Sequence, residues 1–294
     1  MNERRTHVYK TAQGLPIEAD VLGAEPDRLK PCVLWIHGGG LIFGSRTISP
    51  RPSFARLLLQ RGFVIVSIDH RLAPETKLSA IVDDVAEAWR WLHEAGPTHC
   101  GADPSRACAA GASAGAYLAL LAGHRFTPRP RAIASFWGYG DITAPWEAEP
   151  SAHYRTAPLV ERADALASLA LTPVPTAEGA DRSRFYLYCR QQGLWLPEVT
   201  GHAWPEQAAW FEPYCPLRNI DAGFPPTVLV HGRADTDVPA SESDALANRF
   251  REQGVAHQLH ALPGVGHGFA GATPEEVESV ESAVVDFLWA QACA

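Results

Sequence analysis

Short apolar runs alternate with longer helical patterns along most of this chain, and this alternation restricts the fold more than any other feature of the sequence. The runs, several of them rich in β-branched residues, occupy 32–36, 63–68, 107–110, 132–137, 227–230 and 257–262. The helical patterns occupy 53–61, 78–94, 114–124, 241–253 and 274–292. Runs this short are typical of strands. Strands that alternate with helices form a mostly parallel sheet with helices on both faces, so we predict an α/β fold.

The N-terminal region differs from this pattern. Residues 6–11 and 15–22 partly alternate apolar and polar side chains on either side of Gln13-Gly14. Alternation of this kind around a short turn is typical of an antiparallel hairpin. We therefore predict a hairpin at the edge of the sheet.

A second departure is the segment from about 141 to 223, which is rich in proline and aromatic residues. A structureless connection of that length is uncommon in a compact domain. We expect this segment to contain its own helices, near 161–171 and 182–192, and to fold over the sheet as a lid. The predicted domains are thus an α/β core of residues 1–140 and 224–294 and a lid or cap insertion of residues 141–223.

Composition narrows the class of protein. The chain has 294 residues, 46% of them hydrophobic, which is enough for a sizeable core. It has neither a long apolar run nor an apolar N-terminal leader, so a cytoplasmic location is the default expectation. The net charge of −8 without a basic cluster argues against nucleic acid or a membrane surface as partner. A small organic substrate fits better, and the sequence leaves a homodimer open.

Cysteine usage agrees with that location. The six cysteines are scattered without a paired spacing or a regular framework, at positions 32, 100, 108, 189, 215 and 293. Such scattering is typical of buried thiols in a reducing compartment. We assign no chemistry to them.

The pentapeptide Gly-Ala-Ser-Ala-Gly at 111–115 follows an apolar run and precedes an Ala/Leu-rich helical pattern. Small residues around Ser113 permit a sharp strand-to-helix turn, which would hold the hydroxyl clear of the sheet near the positive end of the helix. Such a pentapeptide also arises by chance in Gly/Ala-rich loops. The strand before it and the helix after it favour a nucleophilic serine.

Three consecutive glycines follow His37, directly after the run that ends at Ile36. Successive glycines let the backbone approach a ligand and turn its N–H groups inward. We predict that Gly39, Gly40 and the backbone N–H of Ala114 bind the oxyanion of a tetrahedral intermediate. A flexible turn or a phosphate-binding loop is the alternative, but the lysine of a P-loop is missing. His37 itself is expected to make structural hydrogen bonds.

Asp235 follows the run at 227–230, and His267 lies in a glycine-rich loop after the last predicted strand. The order Ser, Asp, His is the one used by catalytic triads of the α/β-hydrolase fold. We predict Ser113 as nucleophile, His267 as its base and Asp235 as the acid that orients the histidine. Asp237 is the competing carboxylate, and we expect it instead to cap the helix that begins near Ser241. No metal-ligand spacing is present, so neither a metal nor a cofactor is expected.

Four motifs together resemble the hormone-sensitive-lipase family of carboxylesterases. They are His-Gly-Gly-Gly at 37–40, Asp-His-Arg-Leu-Ala-Pro-Glu at 69–75, the pentapeptide at 111–115 and His-Gly-Phe at 267–269. The resemblance extends from about residue 31 to the C-terminus. It implies an eight-stranded α/β-hydrolase sheet, the same triad and the same oxyanion hole. It also implies that Asp69, Arg71 and Glu75 brace the wall of the site.

The chain departs from this family before its first central strand. Only about 30 residues precede that strand, and the helical N-terminal cap of the family has no counterpart among them. We therefore expect the insertion at 141–223 to supply most of the cover over the site. Substrates of family members are a weak guide to the substrate of this chain for the same reason.

These features predict a serine carboxylesterase that hydrolyses small or medium carboxylic esters through an acyl-enzyme. An amidase or peptidase would use the same triad, and the fold alone does not distinguish these activities. A ligand-binding receptor on a hydrolase scaffold is the alternative from another class. Such receptors characteristically lose the serine or the histidine, whereas Ser113 and His267 are both present.

Overall fold

The fold is built on an eight-stranded β-sheet. A computed structural model describes residues 4–25, 27–47, 51–170, 172–176 and 181–294. The strands are β1 (Arg5–Ala12), β2 (Leu15–Leu22), β3 (Lys30–Ile36), β4 (Val64–Ile68), β5 (Ala102–Ala112), β6 (Ile133–Phe136), β7 (Thr227–Gly232) and β8 (His257–Leu262). Their order in the sheet is β1-β2-β4-β3-β5-β6-β7-β8. The pairs β1/β2 and β2/β4 are antiparallel, and every later pair is parallel. The predicted α/β-hydrolase fold is confirmed.

Helices connect the parallel strands and cover both faces of the sheet. The α-helices of the described residues are α1 (Pro52–Arg61), α2 (Leu78–Glu94), α3 (Gly96–Cys100), α4 (Ala114–Arg125), α5 (Pro145–Ala148), α6 (Arg162–Leu166), α7 (Ser183–Gln192), α8 (Trp195–Thr200), α9 (Ala208–Phe211), α10 (Ser241–Gln253) and α11 (Pro274–Ala292). Short 3₁₀ turns lie at Tyr154–Thr156, Glu212–Tyr214, Pro216–Asn219 and His267–Phe269.

Alternation of side chains along β3 shows how the sheet is covered. Val33 and Trp35 belong to a hydrophobic cluster with side chains of α1 and α11. Leu34 and Ile36 point to the opposite face, where they join a cluster with side chains of α2, α4 and α10. Successive residues of a strand face opposite sides of its sheet, so a strand covered by helices on both faces has to be apolar throughout.

The predicted N-terminal hairpin is present as β1 and β2, at one edge of the sheet. Most strand bounds lie within three residues of the apolar runs. β5 is the exception, because it begins at Ala102 and includes the sequence Asp-Pro-Ser-Arg at 103–106. Lys30 pairs with Ala102 across a register shift in the β3/β5 ladder, so backbone pairing extends the strand where the side-chain pattern gives no signal.

The segment between β6 and β7 contains α5 to α9 and three of the 3₁₀ turns. Phe185, Trp195 and Phe211 from this segment are fully buried in the cluster that also holds α2 and α4. The segment therefore packs on that face of the molecule. Its division from the core as a lid at 141–223 stays a prediction.

Of the two helices predicted in this segment, α7 matches within one residue, but α6 is shorter than expected. The helix ends at Leu166, and the predicted end at 171 lies outside the described residues. The backbone N–H of Ala170 donates to Oε1 of Glu75 at 2.8 Å. A tertiary hydrogen bond thus replaces the helical bond that residue 170 would make if the helix continued.

Five of the six free cysteines are buried as expected, whereas Cys293 is exposed near the end of α11.

Within the described ranges, no helix has both the length and the apolar character needed to cross a membrane.

Candidate active site

Ser113 lies at the junction of β5 and α4, in a backbone conformation that non-glycine residues rarely adopt. Its φ and ψ angles are 55° and −123°. The backbone N–H of Ser113 donates to the carbonyl of Phe136 at 2.8 Å, which ties the strained turn to β6. Residues held in such conformations cluster at active sites, where the surrounding structure maintains the strain.

The glycines on either side of Ser113 are required by close backbone packing. A Cβ atom on Gly111 would lie 2.4 Å from backbone atoms of Gly115. A Cβ atom on Gly115 would lie 2.1 Å from the carbonyl oxygen of Ile36. The pentapeptide therefore forms the sharp strand-to-helix turn that its small residues suggested, and the start of α4 lies against the end of β3.

The glycine loop after β3 lies next to Ser113. A Cβ atom on Gly38 would be 3.3 Å from Cβ of Ser113. Gly39 and Gly40 both have positive φ angles, 110° and 60°. Among the hydrogen bonds of the described residues, none uses the backbone N–H of Gly39, Gly40 or Ala114. The N–H groups predicted for the oxyanion hole therefore have no hydrogen-bond acceptor among the described residues. Their role stays a prediction.

Two aromatic residues of the inserted segment, the buried Trp195 and the partly buried Tyr186, hold this loop. The indole N–H of Trp195 donates to the carbonyl of Gly40 at 2.8 Å. The ring of Tyr186 packs on Gly40 so closely that a Cβ atom there would lie 2.5 Å from it. The inserted segment therefore contributes directly to the position of the loop.

His37 is buried, and its Nδ1 donates to the carbonyl of Gly38 at 2.7 Å. Its ring stacks on His70 with a centroid distance of 4.3 Å. Burial, together with repulsion from His70, lowers the pKa of His37 to about 3. The ring therefore stays neutral and has the structural contacts expected of it.

Asp235 and His267 lie in loops at the carboxyl ends of the adjacent parallel strands β7 and β8. Oδ2 of Asp235 accepts a hydrogen bond from Nδ1 of His267 at 2.7 Å. Oδ1 of Asp235 accepts from the backbone N–H groups of Asp237 and Val238, both at 2.9 Å. The Asp235 side chain is fully buried, whereas 27% of the His267 side chain is exposed.

His231 is a second histidine on Asp235, with its Nε2 3.4 Å from Oδ2 of Asp235. Burial opposes ionisation of Asp235, but hydrogen bonds from His231 and His267 outweigh it and hold its pKa well below the usual value. Asp235 is therefore ionised at neutral pH, as an acid that fixes the histidine tautomer has to be.

The suggested capping role of Asp237 is wrong. Helix α10 has Ala240 at its N-cap position and no side-chain cap. Asp237 instead accepts hydrogen bonds at Oδ1 from the Tyr186 hydroxyl at 2.7 Å and from Arg190 at 2.8 Å. Its Oδ2 lies 3.6 Å from Nε2 of His267. Both carboxylates of this loop thus face His267, at opposite nitrogens of the ring, because buried Arg190 draws Asp237 away from the helix.

The Ser113 hydroxyl and His267 are not in hydrogen-bond contact in this structure. Among the described residues, no hydrogen bond joins the Ser113 hydroxyl to His267. The indole of Trp137 packs edge-on against the imidazole at 5.8 Å between centroids, which supports the ring from one side. Catalytic hydrogen bonds of this kind often tighten only when substrate binds.

The string at 69–75 makes ion pairs through its charged side chains. Asp69 pairs with Arg46, and Arg71 pairs with Asp84 at 2.7 Å. Glu75 pairs with Arg182 of the inserted segment at 2.7 Å. These contacts agree with the bracing role that the family resemblance implied.

Sequence reasoning expected the inserted segment to cover the site but did not identify the residues through which it contacts the site. Arg182 donates to the backbone carbonyls of Ile42 and Ala73, both at 2.6 Å, and so joins the glycine loop to the string at 69–75. Tyr186 and Arg190 bind Asp237 from one face of α7. Their separation of four residues puts them on the same face of a helix, which is the only signal the sequence offered.

Two of the cavities that the described residues form border the inserted segment. The larger, of about 430 Å³, lies between α5, α8 and the stretch 203–205, away from Ser113. The smaller, of about 360 Å³, is lined by residues that include Trp146, Glu149, His153, Arg190 and Asp237, so it borders the carboxylate beside His267. In the part of the chain that the structure describes, no group of three or more His, Cys, Asp or Glu residues could hold a metal ion.

Comparison with known proteins gives matches to a family model, to curated proteins and to solved structures. A family model of the α/β-hydrolase fold matches residues 33–271. A curated relative, the non-reducing polyketide synthase Preu6 of Preussia isomera, is 29% identical over 97% of this chain. The chain spans only 14% of the length of that synthase.

Solved structures resemble the whole chain. A protein of unknown function from Staphylococcus aureus superposes with a TM-score of 0.79 at 23% identity, over 99% of both chains. Esterase 2 of Thermogutta terrifontis, phosphonylated by cyclosarin, gives a TM-score of 0.69 at 20% identity, over 98% of this chain and 94% of the other. Its propionate-bound form gives 0.67 at 20% identity, with the same coverage. The chain therefore belongs to the α/β-hydrolase family, in the hormone-sensitive-lipase-like group that its motifs resemble.

Proposed function

We propose that this protein is a serine carboxylesterase that hydrolyses small or medium carboxylic esters through an acyl-enzyme. The observation that carries this proposal is the buried carboxylate of Asp235 bound to Nδ1 of His267 at 2.7 Å. This hydrogen bond commits Nδ1 to the role of donor, which leaves Nε2 of the neutral ring as a base.

The reaction would proceed in two steps. His267 takes the proton of Ser113 while the serine oxygen bonds to the acyl carbon, and the alcohol then leaves with that proton. Water repeats the attack on the acyl-enzyme and releases the acid. The backbone N–H groups of Gly39, Gly40 and Ala114 would stabilise the oxyanion in both steps, and losing one such donor typically costs about 10²–10³ in rate.

A limit on acyl size is supported by the way the inserted segment packs on the glycine loop. Tyr186 and Trp195 both contact Gly40, so bulky aromatic groups stand beside the proposed oxyanion hole. Esterase 2 of Thermogutta terrifontis, which shares the fold, has been solved with propionate bound. A short acyl group is the corresponding expectation here.

The experiment is active-site labelling with a fluorophosphonate probe, followed by kinetics on 4-nitrophenyl esters of increasing acyl length and on matched anilides. We expect labelling of the wild-type protein at Ser113, none in Ser113→Ala, and kcat/KM that is highest for short esters. Ser105→Ala is the matched control, because Ser105 lies in the polar part of β5 and bonds to Asp103. Wild-type turnover in Ser113→Ala would refute the proposal, and higher kcat/KM for the anilides would identify an amidase instead.

A further inference from the structure

Asp237 places a carboxylate beside the ring nitrogen of His267 that would exchange protons with the substrate. Nδ1 of His267 is bound to Asp235, and Nε2 lies 3.6 Å from Oδ2 of Asp237. In acyl transfer, the histidine that takes the serine proton then delivers it to the departing group. The leaving group of an ester therefore has to pass close to Asp237.

The contacts of Asp237 fix the direction in which its carboxylate points. Oδ1 accepts from the Tyr186 hydroxyl and from Arg190, and Arg190 also donates to the backbone carbonyl of Asp237 at 3.1 Å. Arg190 is buried, with 2% of its side chain exposed. Because Tyr186 and Arg190 hold Oδ1, Oδ2 is the oxygen that faces His267. Of the Asp237 side chain, 17% remains exposed.

The cavity of about 360 Å³ beside Asp237 offers space for a departing group, and its lining holds the carboxylates Glu149 and Asp237 together with Arg190 and His153. The Arg190 guanidinium pairs with Asp237 at 2.8 Å and lies 3.3 Å from Oε2 of Glu147. Glu149 forms no ion pair among the described residues, and its side chain lines the same cavity. The half-buried indole of Trp146 also lines the wall, and the Arg190 guanidinium lies 5.2 Å from the centre of its ring.

We propose that Asp237 is a specificity-determining residue that favours esters whose leaving group carries a positive charge on a short spacer. The inference rests on the proposed esterase function and adds the chemical class of the alcohol. During acylation, a bond forms between the Ser113 oxygen and the acyl carbon. The bond from that carbon to the leaving oxygen or sulfur breaks with its electron pair on the leaving atom. The serine proton passes through Nε2 to that atom while the cation lies in the field of Asp237.

A matched pair of substrates tests this inference. Acetylthiocholine carries a quaternary ammonium, and S-(3,3-dimethylbutyl) thioacetate replaces that nitrogen with carbon at nearly the same shape. The ammonium group also makes its thioester more reactive, so each kcat/KM is divided by the rate constant of hydroxide-catalysed hydrolysis of the same compound. The ratio of the two normalised values is the preference for the cation.

We expect a wild-type preference of about five-fold or more, falling towards one in Asp237→Asn and falling in the wild type at high ionic strength. Asp286→Asn removes the same charge from an exposed pair with Arg61 and should keep the wild-type ratio. A general defect in folding or catalysis in Asp237→Asn lowers both rates and cancels in the ratio.

Two results would overturn this inference without affecting the esterase proposal. They are no preference for the cation in the wild-type protein, or the same ratio in Asp237→Asn as in wild type. Hydrolysis of the neutral thioester in either case would leave the esterase proposal standing. Absence of turnover with both compounds, together with absence of fluorophosphonate labelling, would refute the esterase proposal and this inference with it.

Discussion

Oδ2 of Asp235 and Nδ1 of His267 are 2.7 Å apart, although 32 positions separate the two residues in the chain. The contact exists because β7 and β8 are parallel neighbours, so the loops that follow them leave the sheet at the same edge. Formation of this pair therefore requires that β8 has docked on β7.

Replacing Asp235 by asparagine should lower kcat strongly while leaving the fold intact. The amide keeps the shape of the carboxylate but favours the wrong tautomer of His267, a defect of about 10⁴ in the well-characterised serine-protease triad. Steady-state kinetics on a short ester at neutral pH measures the loss. Asp244→Asn, in an exposed pair with Arg233, is the control and should behave as wild type. Full turnover in Asp235→Asn alongside loss of turnover in Asp237→Asn would show that the acid has been assigned to the wrong carboxylate.

Trp195→Phe should reduce kcat more than its effect on stability explains. The substitution keeps an aromatic ring but removes the hydrogen bond to the carbonyl of Gly40, so the glycine loop loses one of its anchors. Trp89→Phe removes an equivalent bond, from the buried Trp89 indole to the carbonyl of Pro128 at 2.8 Å, away from the site. Both variants should lose about 1–3 kcal/mol of unfolding free energy.

The kinetic difference between these two tryptophan variants is the informative result. We expect kcat to fall about ten-fold or more in Trp195→Phe, within the range for loss of oxyanion stabilisation, and to stay near wild type in Trp89→Phe. Equal kcat values for the two variants would mean that the inserted segment does not position the glycine loop.

Arg182→Met should be strongly destabilising, because it leaves Glu75 without its ion-pair partner in a site where only 9% of the Glu75 side chain is exposed. Removing one member of a buried pair typically costs about 3–5 kcal/mol. Arg129→Met breaks the exposed pair with Asp221 and should cost less than about 1 kcal/mol. Urea unfolding of the two variants measures the difference, and similar losses would show that the Glu75 pair does not contribute to stability.

The helices that pack on the two faces of the sheet were the part of the fold that the sequence could predict. The bounds of α2, α10 and α11 agree with the helical patterns, because each helix places an apolar stripe on a sheet that is apolar on both faces. The pentapeptide around Ser113 was also predictable, since its backbone contacts allow only glycine at positions 111 and 115.

The contacts of Asp237 could not be predicted from the sequence, because the residues that bind it are far from it along the chain. Tyr186 lies 51 positions and Arg190 47 positions before Asp237, in a segment without a regular apolar pattern. A local role as helix cap was the only one visible from neighbouring residues. A long-range pair with a buried guanidinium overrides that local preference, because a buried charge without a partner is costly.

The buried Glu147 should make the stability of this protein depend on pH. Burial raises the pKa of Glu147 from 4.5 to about 8, although Arg190 acts in the opposite direction. A carboxyl group whose pKa is raised by folding binds its proton more tightly in the folded state. Its stabilising contribution is therefore complete below about pH 4.5 and is lost as the pH rises through about 8.

Glu147→Gln replaces the carboxyl group with a neutral group of nearly the same shape and should flatten this dependence. We expect the unfolding free energy of the wild-type protein to fall more steeply than that of the variant between about pH 6 and pH 8, by at most about 1.4 kcal/mol per pH unit. Urea unfolding at several pH values measures both slopes. Glu278→Gln, at an exposed pair with Arg56, should keep the wild-type slope. Parallel curves for wild type and Glu147→Gln would show that Glu147 stays ionised beside Arg190.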